Sequence, residues 1–358
     1  MMASSPMARR HASRSLKRRF FSTPLDAAVS IICLALLALL IWKVSDWALF
    51  SAVFGSAGGP AACKAATGAC WSVIADRWRI IMFGLYPYEE QWRSALACVA
   101  VVVMTVLSCI PALWTGRRIA LIWGIGASSY YILMAGGIFG LEVVGEEMWG
   151  GLALTLFIFL STCLIGFPLS IVFALMRRSE LPWISRTMGL IIDTVRSLPL
   201  ISILFTFAIV LPFMLPDWLQ GDKLYRVILG SALFFAAYQA EIVRGGMQGV
   251  AAGQEEAAKA LGLGYWHRIS RIVLPQAMRN ALPATINQFV ISFKETSLVI
   301  IIGFFEILAS ASAAYGTGDW TFAYVEVYVF VALIYFVFVF SLSRYGAFLE
   351  RRMEIGQR

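Results

Sequence analysis

Charged side chains are scarce in this sequence. Asp, Glu, Lys and Arg make up 14% of its 358 residues, whereas a soluble domain carries about 25%. Apolar residues make up 60%, and the mean hydropathy is +0.78. The composition therefore indicates an integral membrane protein in a lipid bilayer. Basic loops on one side of the membrane explain the net charge of +8, so it does not indicate a nucleic-acid partner.

Several kinds of site are also missing from the sequence. It has no Gly-x-x-x-x-Gly-Lys-Ser/Thr phosphate loop, so we do not expect it to bind or hydrolyse ATP. The spacing of its six cysteines and two histidines is not typical of metal ligands. The apolar runs are continuous, whereas strands of a membrane barrel would alternate. We predict an all-α membrane protein without catalytic, cofactor-binding or metal-binding residues.

The apolar runs are long enough for membrane-spanning helices, which need roughly 20 residues each. We predict eight spans, at residues 27–44, 95–114, 119–137, 151–176, 189–214, 225–243, 281–305 and 322–343. The basic N-terminus and first run together resemble a secretory signal peptide. Ile41-Trp42-Lys43 follow the run where a cleavage site needs small residues, which favours a retained anchor over a cleaved signal.

Lys and Arg cluster in alternate loops, which predicts the orientation. Basic clusters lie at the N-terminus and after spans two, four, six and eight, whereas the connection between spans three and four is acidic. The positive-inside rule then places both termini in the cytoplasm. The predicted parts are a basic segment (1–26), three leading spans with an outer loop at 45–93 (27–137), a five-span core (138–352) and a cytoplasmic tail (353–358).

The predicted outer loop contains two cysteines and an aromatic segment. Cys63 and Cys70 are seven residues apart, and an oxidising exterior permits a disulfide between them; a reduced pair is the alternative. The other four cysteines lie in predicted spans, where we expect apolar packing. The short aromatic segment at residues 78–88 predicts a helix that lies in the membrane interface.

A polar, basic loop at residues 244–280 separates spans six and seven. Its stretch 255–261 is rich in alanine and has acidic residues in its first turn, which predicts a short helix. Gly262 and Gly264 can adopt the left-handed conformation that ends a helix. A second short helix at 265–274 would end before Pro275. Two short helices joined by glycines would form an elbow; the alternative is an amphipathic connector on the membrane surface.

Four short motifs lie in or near this loop, in a fixed order. They are Arg-Ser-Leu-Pro-Leu at 196–200, Ala-Tyr-Gln-Ala-Glu-Ile-Val-Arg-Gly-Gly at 237–246, Gly-Gln-Glu-Glu-Ala-Ala at 253–258 and Lys-Glu-Thr-Ser-Leu at 294–298. Together they resemble the permeases of polar-amino-acid ATP-binding-cassette (ABC) importers, in which the 256–275 stretch is the EAA loop. The leading spans and the long outer loop most resemble one permease of a general L-amino-acid uptake system.

The resemblance implies a fold, a function and partners. The last five spans would form the transmembrane core of a type I ABC importer in a bacterial inner membrane. Partners would be a cytoplasmic ABC ATPase dimer, a sister permease or second copy, and a periplasmic binding protein that delivers an L-amino acid. The residues implied in contact with the ATPase are Glu256, Ala257, Ala258, Leu261, Gly262, Ile272, Leu274 and Pro275.

Polar residues inside predicted spans indicate a substrate pathway, because lipid does not solvate them. The candidates are Gln239, Asn287, Lys294, Glu295, Thr296 and Ser297. Lys294 and Glu295 either contact substrate, form a structural pair, or face water near the pore wall. Glu241 and Arg244 lie three residues apart on one helical face, which predicts an ion pair.

Two other classes of membrane protein share this apolar composition. An ion-gradient-driven secondary transporter usually contains two related halves, but the sequence shows no such internal repeat, and the elbow would have no purpose. An ion channel needs a pore-lining filter, and no such segment is visible. The predicted function is therefore an importer permease.

Overall fold

The computed structural model describes residues 20–55 and 59–355. The predicted N-terminal segment up to residue 19 and the last three residues of the predicted tail lie outside these ranges. The chain divides into two compact units, the first ending at Asp76 and the second beginning at Arg77. Within the described ranges the regular elements are helices, and no β-strand occurs, in agreement with the predicted all-α class.

The first unit begins with α1 (Pro24–Ser45), which confirms the first predicted span as a helix. Its N-terminus has a capping box: the Asp26 N–H donates to Thr23 Oγ1 at 3.1 Å, and the Thr23 N–H donates to Asp26 Oδ2 at 3.2 Å. These bonds satisfy two backbone donors at the helix start. A π-helical turn (Asp46–Phe50) follows α1.

A short helix and a disulfide fold the outer loop onto the turn after α1. Helix α2 (Gly59–Ala65) carries Cys63, whose sulfur is bonded to that of Cys70 with the Cα atoms 5.4 Å apart. The Val53 N–H donates to Ala69 O at 2.8 Å, and the Trp71 N–H donates to Val53 O at 2.9 Å. Both cysteines are buried.

We predict that Cys63 and Cys70 form this disulfide in membranes isolated without reductant. A loop this short contributes about 2 kcal/mol in the chain-entropy model, so reduction should make the loop easier to cleave by protease. Peptide masses before and after reduction measure the bond, and Cys33, which is free in the structure, serves as the control. Finding both loop thiols free would contradict the prediction.

Three further helices precede the predicted core: α3 (Ser72–Phe83), α4 (Gln91–Cys109) and α5 (Gly116–Ala135). Helix α3 crosses the boundary between the units. The bounds predicted for the interfacial helix, 78–88, were wrong: the helix begins at Ser72, and it stops at Phe83 because Gly84 has a φ of +60°. Beyond it the Tyr86 side chain is buried, and its hydroxyl donates to Met134 O at 2.9 Å.

The next group of helices contains a sharp bend. It comprises α6 (Gly151–Arg177), α7 (Pro182–Ser197), α8 (Leu200–Phe205), α9 (Leu211–Met214), α10 (Asp217–Gln220) and α11 (Lys223–Gln248). The predicted span at 189–214 is not one straight helix, because α7 and the Leu200–Met214 run form an angle of 105° and make a bent pair. Pro199 explains the break, since Leu198 before it is extended (φ −89°, ψ 141°) as residues before proline prefer.

The remaining helices are α12 (Ala252–Ala260), α13 (Tyr265–Arg268), α14 (Leu274–Glu295), α15 (Ile307–Gly316) and α16 (Tyr324–Ile355). A π-helical turn (Ile269–Val273) joins α13 to α14, and a 3₁₀ segment (Thr296–Ile302) follows α14. Seven runs in the described residues are long and apolar enough to cross a membrane, and the bent pair makes eight.

Glycines allow backbone to meet backbone at two crossings. Gly151, at the start of α6, has a φ of +60°, and a Cβ atom there would lie 2.1 Å from Met82 O. A Cβ atom on Gly246 of α11 would lie 2.3 Å from Ala277 O of α14. Small residues are typical of such close contacts between membrane helices, and these two fix the positions of α6 and α11.

Glu306 links three helices. Its carboxylate caps α15 by accepting the N–H groups of Leu308 and Ala309, both at 2.9 Å. The same side chain lies 3.5 Å from the hydroxyls of Thr155 in α6 and Tyr335 in α16. Burial raises the pKa of the Glu306 carboxyl to about 7. The residue is completely buried, so its contacts indicate a structural role.

Candidate functional site

The elbow is built from α12, a glycine turn and α13, and α12 ends in a Schellman motif. Gly262 has a φ of +73°. The Gly262 N–H donates to Lys259 O at 2.9 Å, and the Leu263 N–H donates to Ala258 O at 3.1 Å. These are the two bonds that define the motif. The left-handed conformation predicted for Gly262 is confirmed.

Gly264, the second glycine that can adopt the left-handed conformation, does not use it. Its φ is −64° and its ψ is 160°, so it is extended and serves as the N-cap of α13. One left-handed residue is enough to reverse the chain after α12, and the next helix requires an extended cap.

The predicted end of the second elbow helix at Pro275 was wrong. The helical run continues from Tyr265 to Ile302. Proline lacks an N–H and its ring crowds the preceding turn. The π-helical turn before it, closed by a bond from the Leu274 N–H to Ile269 O, widens the backbone at this point. Pro275 then falls in the first turn of α14, where proline is tolerated.

Most of the residues implied in ATPase contact are accessible on the elbow. Glu256, Ala257, Gly262 and Pro275 are exposed, and the Leu261 side chain is 80% exposed. Ile272 and Leu274 are half-buried.

Ala258 differs from these, because it is 2% exposed and faces the protein's own interior. An exposed aromatic residue, Trp266, was not among the predicted contacts; its side chain is 70% exposed. The adjacent aromatic residues Tyr265 and Trp266 in a polar, basic loop were the signal available in the sequence.

Ion pairs connect the ends of the helices nearest the elbow. Arg177 at the end of α6 donates to both carboxylate oxygens of Asp193 in α7, at 2.9 and 3.1 Å. The Arg177 Nη1 atom also lies 3.3 Å from Glu241 Oε1 in α11. Glu241 accepts from Arg244 at 2.8 Å, which confirms the predicted pair within that helix. We call Arg177, Asp193, Glu241 and Arg244 the ion-pair network.

The elbow itself is joined to α6 by one further ion pair, between Arg178 Nη2 and Glu255 Oε2. An apolar cluster occupies the same helix ends, one turn from the charges, and includes Ala174, Ala240 and Val273. The ion pairs link α6, α7, α11 and the elbow, whereas the apolar cluster links α6, α7 and α11 to the π-helical turn that follows the elbow.

A second polar site lies among the spans. A small cavity of about 10 Å³ is lined by residues from α6, α11, α14 and the 3₁₀ segment after α14, together with Leu200 of α8. This volume suits about one water molecule. The polar residues in its wall are Thr162, Ser231, Ser292, Glu295 and Thr296.

The structure separates the other candidate pathway residues from this cavity. Gln239 is completely buried and donates from Nε2 to Thr285 Oγ1 at 2.8 Å, which joins α11 to α14. Asn287 and Lys294 are exposed, and Ser297 donates to Lys294 O at 2.9 Å. Among the described residues no Lys294–Glu295 ion pair occurs within 4.0 Å, which corrects the structural-pair alternative.

Comparison with known proteins shows which family the chain belongs to. The model of the family "binding-protein-dependent transport system inner membrane component" matches residues 166–355, more than half of the chain. The chain belongs to this family. It is a multi-pass inner-membrane permease subunit, and this membership does not support the secondary-transporter alternative.

Two curated relatives of this permease extend over nearly its whole length. The inner membrane amino-acid ABC transporter permease protein YhdY of Escherichia coli strain K12 is 38% identical, over 96% of this chain and 93% of the relative. The glutamate/glutamine/aspartate/asparagine transport system permease protein BztC of Rhodobacter capsulatus is 30% identical, over 99% of this chain and 96% of the relative.

A solved structure matches the permease core. It is a crystal structure of an amino acid ABC transporter with histidines, with 31% identity and a TM-score of 0.50. The match covers 56% of this chain and 92% of the solved one. The core therefore has the type I ABC importer fold that the motifs led us to expect.

Proposed function

We propose that this permease carries L-amino acids across the inner membrane, driven by ATP hydrolysis on a separate ABC ATPase dimer. A periplasmic binding protein would deliver the substrate, and a sister permease or second copy would complete the pathway. The observation that carries the proposal is the elbow, whose exposed Glu256 and Leu261 lie on a helix fixed by the Schellman motif. The likeness to full-length amino-acid permeases supports the substrate class.

The elbow suits contact with an ATPase because it offers a charge and an apolar side chain on a short rigid helix. Such a helix fits a groove in a partner. We propose that Trp266, on the next helix, joins the contact surface. The ATP-bound dimer must bind one permease conformation more tightly than the other, since only such a difference shifts the population.

We propose residues 138–352 as the five-span core, with the coupling loop at 244–280. The three leading spans at 27–137 are an addition to that core. Both termini would be cytoplasmic. Glu295 and Thr296, which line the small polar cavity, are the pathway candidates that the geometry favours.

The proposed function is tested by reconstitution. The permease, alone or together with a sister permease, is placed in proteoliposomes with an ABC ATPase and a periplasmic amino-acid-binding protein, and uptake of radiolabelled L-amino acids is measured. We expect uptake that requires both ATP and the binding protein. Uptake driven by an ion gradient without ATP would contradict the proposal.

The orientation predicts which positions react with a membrane-impermeant thiol reagent. A cysteine at Val143, whose side chain is 78% exposed, should be labelled from outside in intact cells. A cysteine at the exposed Gln254 should be labelled only after the membrane is opened. The unsubstituted protein gives the background from its own cysteines, and the reverse pattern would invert the topology.

The pathway proposal predicts different effects at two adjacent residues. Glu295→Gln removes a charge from the polar cavity and should weaken uptake of arginine relative to glutamate by about tenfold, since hydrogen bonds to charged groups are worth about 1.5–3 kcal/mol. Lys294→Met, at an exposed position, should affect both substrates equally. Uptake per amount of membrane protein measures this, and a selective effect of Lys294→Met would reverse the assignment.

A further inference from the structure

The elbow is connected to the membrane helices in two different ways. At one end it follows α11 in the chain, and at the other it continues through the π-helical turn into α14. Helices α6 and α7 lie earlier in the chain and have no such covalent link. A displacement of the elbow must therefore reach α6 and α7 through noncovalent contacts.

A cavity of about 540 Å³ lies between α12 and the ends of α6 and α11. Because side chains do not fill this space, dispersion contacts cannot carry a displacement directly across it. Arg178 of the α6 end and Glu255 of α12 both line the cavity, and their side chains meet in an ion pair. This pair is thus a direct connection between the elbow and α6.

The connection continues from Arg178 toward the polar cavity. Arg177, the next residue in the chain, holds Asp193 of α7 with two hydrogen bonds. Asp193 lies one helical turn before α7 ends at the bend. Leu200, the first residue after the bend, lines the polar cavity.

We propose that the Arg178–Glu255 ion pair positions α6 and α7 relative to the elbow, so that elbow movement displaces the bend between α7 and α8. The inference rests on the proposed function, in which the elbow receives the movement of an ATPase. Glu255 and Arg178 are positioning residues that act through the ion-pair network. Their side chains are 23% and 35% exposed, and a pair this exposed contributes little to folding.

The test uses charge reversal and charge exchange in the reconstituted complex. Arg178→Glu and Glu255→Arg are made singly and together, and uptake of a radiolabelled L-amino-acid mixture is divided by the ATP hydrolysed. We expect each single variant to lower this ratio about fivefold to tenfold, the lower range of coupling between sites. The double variant should recover most of the ratio, because the pair is restored with its charges exchanged.

A matched control and a set of uncharged substitutions separate the effect of the ion pair from other effects of the charge changes. Arg186→Glu reverses an exposed charge on α7 outside the ion-pair network and should leave the ratio unchanged. If reversal prevents assembly, Arg178→Gln and Glu255→Gln replace it, and the double variant should lose no more than either single one. Additive losses, an unrecovered double variant, or equal falls in uptake and ATP hydrolysis would each overturn the inference.

The failure of the proposed function would look different. The unsubstituted complex would then show no uptake that depends on ATP and the binding protein. If the unsubstituted complex transports normally and both single variants keep its ratio of uptake to ATP hydrolysed, only the positioning role is refuted.

Discussion

Uptake should fall to the level of membranes without the permease when Gly262 is replaced by proline. Gly262 has a φ of +73°, and its N–H donates to Lys259 O. Proline fixes φ near −65° and has no N–H, so the Schellman motif cannot form and α12 loses its direction. Glu256→Lys should have the same effect by reversing an exposed charge on the elbow. The measurements are uptake, permease content of the membrane and stimulation of ATP hydrolysis.

The control for this prediction is Gly264→Ala. Gly264 has an ordinary φ of −64°, and an added Cβ atom would meet nothing within 4 Å. Alanine should therefore leave uptake near the normal level. Normal uptake in both Gly262→Pro and Glu256→Lys, with normal membrane content, would show that the elbow does not couple the permease to an ATPase.

Gly151→Ala should prevent accumulation of folded permease. The φ of +60° disfavours an L-residue by about 1–2 kcal/mol, and the new Cβ atom would lie 2.1 Å from Met82 O. Overpacking typically adds about 1–3 kcal/mol. Backbone atoms form the other side of this contact, so a rotamer change cannot relieve it.

Gly140→Ala separates the cost of a positive φ from the cost of a steric clash. Gly140 has a φ of +76°, but an added Cβ atom there would meet nothing within 4 Å. This variant should lose only the conformational part, about 1–2 kcal/mol, and remain folded. Size-exclusion profiles and melting temperatures in detergent compare the two variants. Similar melting temperatures would mean that the α3–α6 crossing tolerates a side chain.

The spans could be predicted because each apolar run is a local signal. Helices α1, α6 and α11 follow their predicted runs to within a few residues. The bend at Pro199 was missed because the apolar composition continues through it, although the proline itself was visible. Likewise Pro275 was assigned as a helix end, because a π-helical turn leaves no simple sequence pattern.

Features of the site could be predicted only where they depend on residues that are close together in the sequence. The turn at Gly262 and the Glu241–Arg244 pair depend on neighbours within a few residues. The contacts Arg177–Asp193 and Arg178–Glu255 join residues 16 and 77 positions apart, and no periodicity relates them. Ala258 belongs to the same motif as its exposed neighbours, yet it is buried because the packing of α12 on the π-helical turn decides which face is covered.

The π-helical turn also determines which way the elbow faces around the axis of α14. Such a turn holds one residue more than an α-helix would need. Deleting one residue from Ile269–Val273 would rotate everything before it by about 100° around the axis of α14. The surface carrying Trp266 would then turn away from its present side. The loss of a single codon in this turn would thus change which way the elbow faces.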